Sequence, residues 1–173
     1  MNESELMLGL AARLADAAVQ SSLDETAERL LDELHDDPAQ PKSTFRPIPL
    51  PLYGGGLPNE IRSSWVFALR RGMAHPPERH PNSIQRMFAL NQPGCFEYWD
   101  GTTWITCELF PGDAGLSIPI DTWHRMPAQD RDWAVASFHT AAADELVEIV
   151  GDPQSGEIST ERKYVTGSGA IET

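Results

Sequence analysis

The sequence of 173 residues has little of three things that often identify a protein at once: cysteine, basic charge and long apolar runs. Its 2 cysteines are too few for a disulfide scaffold or a four-thiolate metal site. Its 13 Lys and Arg against 26 Asp and Glu give a net charge of −13, which repels nucleic-acid phosphates and anionic lipid. We therefore expect no nucleic-acid partner and no membrane partner.

The sequence also lacks the signals of membrane insertion, secretion, nucleotide binding and acyl transfer. No apolar run approaches the roughly 18–20 residues that span a bilayer, and residues 1–10 lack the basic start of a signal peptide, so a cytoplasmic protein is expected. The glycines at 54–56 precede no Lys-Ser/Thr pair, which gives nucleotide binding no support. The Gly-x-Ser-x-Gly pattern of acyl-transfer enzymes is absent as well.

The two cysteines flank a predicted hairpin. If residues 100–102 form its loop, Cys95 lies directly across from Cys107, close enough for a bridge. In a reducing cytosol two reduced, partly buried thiols are favoured.

The N-terminal part predicts helices. Apolar residues recur at helical spacing within residues 3–36: Leu6, Leu10, Leu14, Ala27, Leu30, Leu31 and Leu34. Ser22 followed three residues later by Glu25 matches a capping box and predicts the start of the second helix. A helical pair of this kind packs either on its own domain or on a partner subunit.

The rest of the chain predicts an all-β domain. Prolines and glycines between residues 38 and 58 exclude a helix and a central strand. Short β-type runs follow at 64–69, 84–90, 95–99, 103–109, 116–120 and 133–139, with a further pair near 151–156. We therefore divide the chain into a helical arm (1–37), a Pro/Gly-rich connector (38–58), a barrel (59–150) and a C-terminal strand and tail (151–173).

Polar residues cluster where predicted strands meet turns. Glu78 and His80 are two apart, so both point to one side of an extended chain. From Gly72 through Glu78, His80 and Gln85 to Gln92, the spacing is similar to the first motif of the cupin superfamily. In that motif His stands at the position of Glu78, Glu at that of Gln85 and Gly at that of Gln92.

The second cupin motif has a counterpart later in the chain: Gly112, Pro119, Asp121, His124 and Ala128. Pro119 and His124 fall in frame, while Asp121 and Ala128 depart from the Gly and Asn of the family. The chain therefore resembles a cupin over its middle and later two-thirds. The resemblance implies an all-β, cupin-type double-stranded β-helix (jelly-roll barrel), here with an N-terminal helical pair, and a homodimer.

The resemblance also implies a metal site. Carried over by position, Glu78, His80, Gln85 and His124 are the candidate ligands. Two His and one carboxylate with open positions suit Fe(II), and Mn, Ni and Zn stay open. Glu78 and Gln85 are also candidate catalytic residues, together with Trp123, which we expect near the cavity mouth.

Each candidate has a structural alternative. Histidines 80 and 124 can hydrogen-bond turn backbone, Glu78 can be a solvated charge, and Gln85 can fix the tautomer of a neighbouring His. His75 is an alternative first ligand, and His139 is expected in the core or the pocket wall.

Two hypotheses on function follow. The first is a metal-dependent cupin enzyme that acts on a small polar molecule, with Fe(II)-type dioxygenation first and isomerase or lyase chemistry close behind. The alternative is a non-catalytic sensing or binding cupin whose helical arm contacts a partner protein.

Overall fold

The structure is a computed structural model that describes residues 2–34 and 43–163. Two helices come first, α1 (Glu3–Leu14) and α2 (Ala17–Glu33), and a short 3-10 helix spans Leu50–Tyr53. The strands within the described residues are β1 (Ser43–Pro47), β2 (Ser63–Leu69), β3 (His75–Arg79), β4 (Gln85–Ala89), β5 (Gly94–Trp99), β6 (Trp104–Leu109), β7 (Leu116–Ile118), β8 (His124–Met126), β9 (Trp133–His139), β10 (Val147–Asp152) and β11 (Glu157–Lys163).

Strands β2 to β9 form a jelly roll. The antiparallel pairs are β2 with β9, β3 with β8, β4 with β7 and β5 with β6, so this part of the chain is one long hairpin rolled into a barrel. The five-stranded sheet has the order β1-β2-β9-β4-β7 and the six-stranded sheet the order β11-β10-β3-β8-β5-β6. The predicted fold class, an all-β jelly-roll barrel with an N-terminal helical pair, is confirmed.

The helical pair covers the outer face of the five-stranded sheet. Alternate strand residues such as Val66, Ala136 and Phe138 point outward and form one apolar core with Leu10 and Leu23 of the helices, all of them buried. The helices therefore pack on their own barrel. Neither helix in the described part of the chain is long and apolar enough to cross a membrane.

An ionic cluster fastens the helices to the barrel. Arg86 points outward from β4, yet its side chain is only 1% exposed because α1 lies over it. Its Nε and Nη2 donate to the two carboxylate oxygens of Glu3 at 2.8 and 2.9 Å, and Nη2 also donates to Glu60 at 2.7 Å. This arginine lies outside the barrel and is buried beneath the helices.

The second helix begins earlier than the sequence predicts. Asp16 caps α2 by accepting from the backbone amides of Ala18 and Val19. Ser22 instead lies one turn inside the helix, where its hydroxyl donates to the carbonyl oxygen of Ala18. The predicted start at Ser22 is therefore wrong, because Asp16 satisfies the free amides first.

The conditional register that set Cys95 directly across from Cys107 is also wrong, because the loop is longer than residues 100–102. Trp99 pairs with Trp104, so the hairpin loop has four residues, and Cys107 lies across from Phe96 rather than from Cys95. Since neighbouring strand residues face opposite sides, the two thiols point to different faces of the sheet. Both are free, and burial raises the pKa of each thiol.

Regular structure extends beyond the predicted barrel limits of 59 and 150. The connector contributes β1, an edge strand that pairs with β2, and β11 follows after β10. An edge position agrees with the proline at the end of β1. The part of the predicted C-terminal tail beyond residue 163 lies outside the described residues.

The ionic cluster should contribute strongly to stability. Replacing Glu3 and Glu60 together by Ala leaves the buried Arg86 guanidinium without a counter-charge, so we expect a loss of about 3–5 kcal/mol in the free energy of unfolding, measured with urea. The control is Glu33→Ala, whose partner Arg46 is 44% exposed, and its cost should be at most about 1 kcal/mol. Equal losses in both variants would contradict a buried ionic anchor.

Candidate metal centre

A carboxylate and two imidazoles meet inside the barrel. The ladder between β3 and β8 places Glu78 directly opposite His124, and His80 follows at the end of β3. The donor atoms of Glu78, His80 and His124 lie within 4.8 Å of one another, and all three residues are buried. The resulting set is two nitrogens and one carboxylate.

A bulge in β3 orients this carboxylate. His75 pairs with Met126 and Glu78 with His124, so three steps along β3 correspond to two along β8. The extra residue lies at Pro76-Pro77, where proline provides no amide for the ladder. The side chains of His75 and Glu78 would face opposite sides of a regular strand. Because of the bulge, Nδ1 of His75 lies 3.7 Å from Oε2 of Glu78.

Backbone carbonyls fix the tautomers of both candidate ligands. Nδ1 of His80 lies 2.9 Å from the carbonyl oxygen of Val147, and Nδ1 of His124 lies 2.9 Å from that of Thr122. A carbonyl oxygen can only accept, so each Nδ1 carries the hydrogen. In the neutral rings Nε2 therefore keeps its lone pair, the state that binds a metal.

The charges also suit a cation. Burial lowers the pKa of His80 to about 4, with Glu78 offsetting only part of the effect, so this imidazole is neutral at pH 7. Burial alone would raise the pKa of Glu78, but His75 and the other imidazoles around it outweigh burial and hold this pKa well below its ordinary value. An ionised carboxylate beside neutral imidazole is the protonation state that a divalent ion requires.

Several polar atoms at the centre are left unpaired. Oε2 of Glu78, Oε1 of Gln85 and Nε2 of His124 are buried, and none has a hydrogen-bond partner among the described residues. Nε2 of His124 lies 3.4 Å from Oε1 of Glu78 without hydrogen-bond geometry. Unpaired buried polar atoms are costly, and a cation bound by the cluster would satisfy the lone pairs of Glu78 and His124. The residues present therefore fit a divalent metal.

A small cavity of about 30 Å³ adjoins the cluster. Glu78, Gln85, Ser137 and His139 are its polar walls. The remaining walls are apolar: Phe45, Trp65, Phe67, Met87, Met126 and Val135. No sequence motif marks the aromatic walls, although strand alternation in β2 places Trp65 and Phe67 on one face.

The other sequence candidates lie around this centre. Gln85 is buried on β4 and faces the cavity together with Glu78. Nδ1 of His75 is 3.7 Å from Glu78, but His75 is not in the three-residue cluster. Trp123 is not among the cavity walls of the described chain, because its ring packs against Arg79, whose Cζ is 5.0 Å from the ring centroid.

The loop before His124 uses an uncommon backbone conformation. Asp121 has φ of 64°, in the region that favours glycine, and stands where the second cupin motif has glycine. Its amide donates to the carbonyl oxygen of His80 at 3.0 Å. Asp121 therefore connects the two segments that carry the imidazoles.

Comparisons with known proteins give likeness in fold only. No protein-family model matches the sequence, and no curated protein is significantly similar to it. Among solved structures, salicylate 1,2-dioxygenase from Pseudaminobacter salicylatoxidans is 15% identical, covering 69% of this chain and 33% of that one, with a TM-score of 0.49. DMSP lyase DddQ from Ruegeria pomeroyi DSS-3 is 21% identical, covering 60% and 49%, with a TM-score of 0.46. Pumpkin seed globulin is 20% identical, covering 51% and 23%, with a TM-score of 0.45.

This chain thus spans half or less of the length of these three proteins. With TM-scores below 0.5, the likenesses add nothing to what the strand pairing and the buried cluster show by themselves.

The backbone at Asp121 gives a prediction. Asp121→Gly relieves the left-handed backbone, so its free energy of unfolding should stay within about 1 kcal/mol of wild type. Asp121→Val places a β-branched residue at this φ and should cost about 1–2 kcal/mol more than the glycine variant, measured by urea denaturation. Equal stability of the two variants would show that the positive φ is not a constraint on this loop.

Proposed function

We propose that this protein binds one divalent metal ion through Glu78, His80 and His124 and uses it in an enzymatic reaction on a small molecule held in the adjoining cavity. One observation carries the proposal: both imidazoles have Nδ1 committed to a backbone carbonyl, which leaves two Nε2 lone pairs beside a buried carboxylate. The alternative roles considered from sequence were histidines that only brace turn backbone and a solvated Glu78. They do not explain why a buried carboxylate and two imidazoles converge at one point inside the barrel.

The ligand set favours Fe(II), with Mn, Ni and Zn as alternatives. Two His and one carboxylate leave coordination positions open, and an ion held this way supplies either oxygen chemistry or Lewis-acid polarisation of the substrate. Gln85 has two roles that remain open in this proposal, a weak neutral ligand or a hydrogen-bond acceptor for the bound molecule. Its unpaired Oε1 supports both.

The protein itself shields the proposed metal centre from water and shapes the adjoining cavity. Glu78 is 5% exposed, His80 2% and His124 1%, so bulk water is kept away from the reacting groups. The aromatic and methionine walls of the cavity support an apolar part on the substrate. Its volume of about 30 Å³ supports a small substrate.

Dioxygenation is the first reaction class to test. Oxygen consumption by the iron-loaded protein with panels of small polar compounds separates dioxygenation from isomerase or lyase reactions, which consume no oxygen. Turnover of a substrate without oxygen uptake would contradict dioxygenation and favour isomerase or lyase chemistry.

Metal content tests the site. Protein purified without a histidine tag should contain close to one metal ion per chain by elemental analysis, and the double variant with His80→Ala and His124→Ala should contain almost none. The control is the double variant Cys95→Ser and Cys107→Ser, which should keep its metal because neither thiol belongs to the cluster. Full metal content in the histidine variant would refute the ligand assignment.

The second candidate function is a non-catalytic binding protein whose arm contacts a partner. Against it stands the burial of the helices on the barrel, since Leu10, Leu23 and Leu30 are each 0% exposed. Removal of residues 1–36 exposes this core, so we expect aggregation or unfolding in size-exclusion chromatography and circular dichroism. A folded, monomeric truncated barrel would instead favour a detachable docking arm.

A further inference from the structure

A third buried imidazole, His139, lies beside the proposed metal centre. It is 2% exposed, lies opposite Gln85 in the ladder between β9 and β4, and is one of the cavity walls. Its ring meets that of His80 edge-on, with centroids 5.1 Å apart. The three-residue ligand cluster does not include it.

The surroundings of Ser83 determine which nitrogen of His139 carries the hydrogen. The hydroxyl oxygen of Ser83 accepts from the backbone amides of Thr140 and Ala141, at 3.0 and 3.3 Å. These two bonds occupy both of its lone pairs. Ser83 Oγ also lies 3.4 Å from Nδ1 of His139, and it has no lone pair left to accept from that nitrogen.

The contact between the two residues therefore has one consistent direction. The Ser83 hydroxyl donates to Nδ1 of His139, although the carbonyl oxygen of Ile84, 3.0 Å away, competes for the same hydrogen. When the hydroxyl donates to His139, Nδ1 is the acceptor. When it donates to Ile84 instead, Ser83 still has no lone pair to accept from an Nδ1–H, so that tautomer would leave a buried donor without an acceptor at Ser83. A ring that accepts at Nδ1 keeps a lone pair on that nitrogen and is therefore neutral.

A neutral imidazole that accepts at Nδ1 carries its hydrogen on Nε2. His139 is then the opposite tautomer to His80 and His124, whose Nδ1 atoms donate to carbonyl oxygens. The described residues offer Nε2 of His139 no hydrogen-bond partner, and His139 lines the cavity. Histidine thus has two different roles in this barrel, and the hydrogen-bond partner of Nδ1 determines which role each histidine has.

We propose that His139 is a substrate-binding residue whose Nε2–H donates a hydrogen bond to an acceptor atom, such as a carbonyl or carboxylate oxygen, of the molecule bound in the cavity. The proposal rests on the proposed function for the identity of the site, but the tautomer stands on its own. It assigns the substrate an acceptor oxygen next to its apolar part. His139 lacks the free Nε2 lone pair of a metal ligand.

The first experiment reads the tautomers directly in the metal-free protein. Long-range ¹H–¹⁵N correlation spectra at pH 7.5 should show His139 protonated on Nε2, and His80 and His124 protonated on Nδ1. Ser83→Ala removes the donor to Nδ1 and should shift His139 towards a mixture of tautomers. A wild-type His139 protonated on Nδ1 would overturn the proposal, whatever the metal content.

The second experiment measures binding with formate as the probe, followed by the visible absorption of the cobalt-loaded protein. His139→Phe keeps a ring but loses the donor, and should weaken formate binding about tenfold. His139→Gln keeps an N–H donor and should stay within about threefold of wild type. Metal content should be unchanged in both variants.

Unaltered formate affinity in the Phe variant, or equal losses in the Phe and Gln variants, would reduce His139 to a packing residue and overturn the proposal. A wild-type protein that takes up no metal would refute the proposed function instead. The tautomer spectra would then decide the donor role of His139 alone.

Discussion

The antiparallel ladder between β3 and β8 sets Glu78 opposite His124, and the rest of the site depends on that pairing. The bulge at Pro76-Pro77 turns the carboxylate inward, and the turn after β3 brings His80 to the same side. Hydrogen bonds from Nδ1 to backbone carbonyls then fix both imidazoles. A metal centre of this type requires no loop closure, because each donor is held by a strand or by backbone next to one.

The two faces of β4 connect this centre to the outside of the barrel. Gln85 points into the cavity, while its neighbour Arg86 points outward to Glu3 of α1. The helical pair is therefore part of the scaffold that holds the site, since it buries the outer face of the sheet that supplies Gln85 and His139. Stability of the helical cover and order in the cavity wall should be linked through this strand.

Local patterns in the sequence predicted much of the fold. Short β-type runs predicted β2 and β9 to within a residue, and the spacing of the two motifs selected Glu78, His80 and His124, which the fold brings together. Strand β3 was missed because two prolines contradict strand propensity, and only the bulge admits them. The place of His139 in the pocket wall was expected from the sequence, but the donor role proposed for it was beyond reach, since that role depends on Ser83, 56 residues away in the chain. Trp123 was expected near the cavity mouth because it directly precedes His124 in the second motif. Strand alternation instead turns its side chain to the opposite face from His124.

The central claim is that two Nε2 atoms and one carboxylate hold a metal ion inside the barrel. The most direct test is a crystal structure of the metal-loaded protein with diffraction data collected at the absorption edge of the metal. The account predicts one anomalous peak about 2.0–2.2 Å from Nε2 of His80, Nε2 of His124 and a carboxylate oxygen of Glu78. A peak bound elsewhere, or coordination through Nδ1 of either histidine, would contradict it.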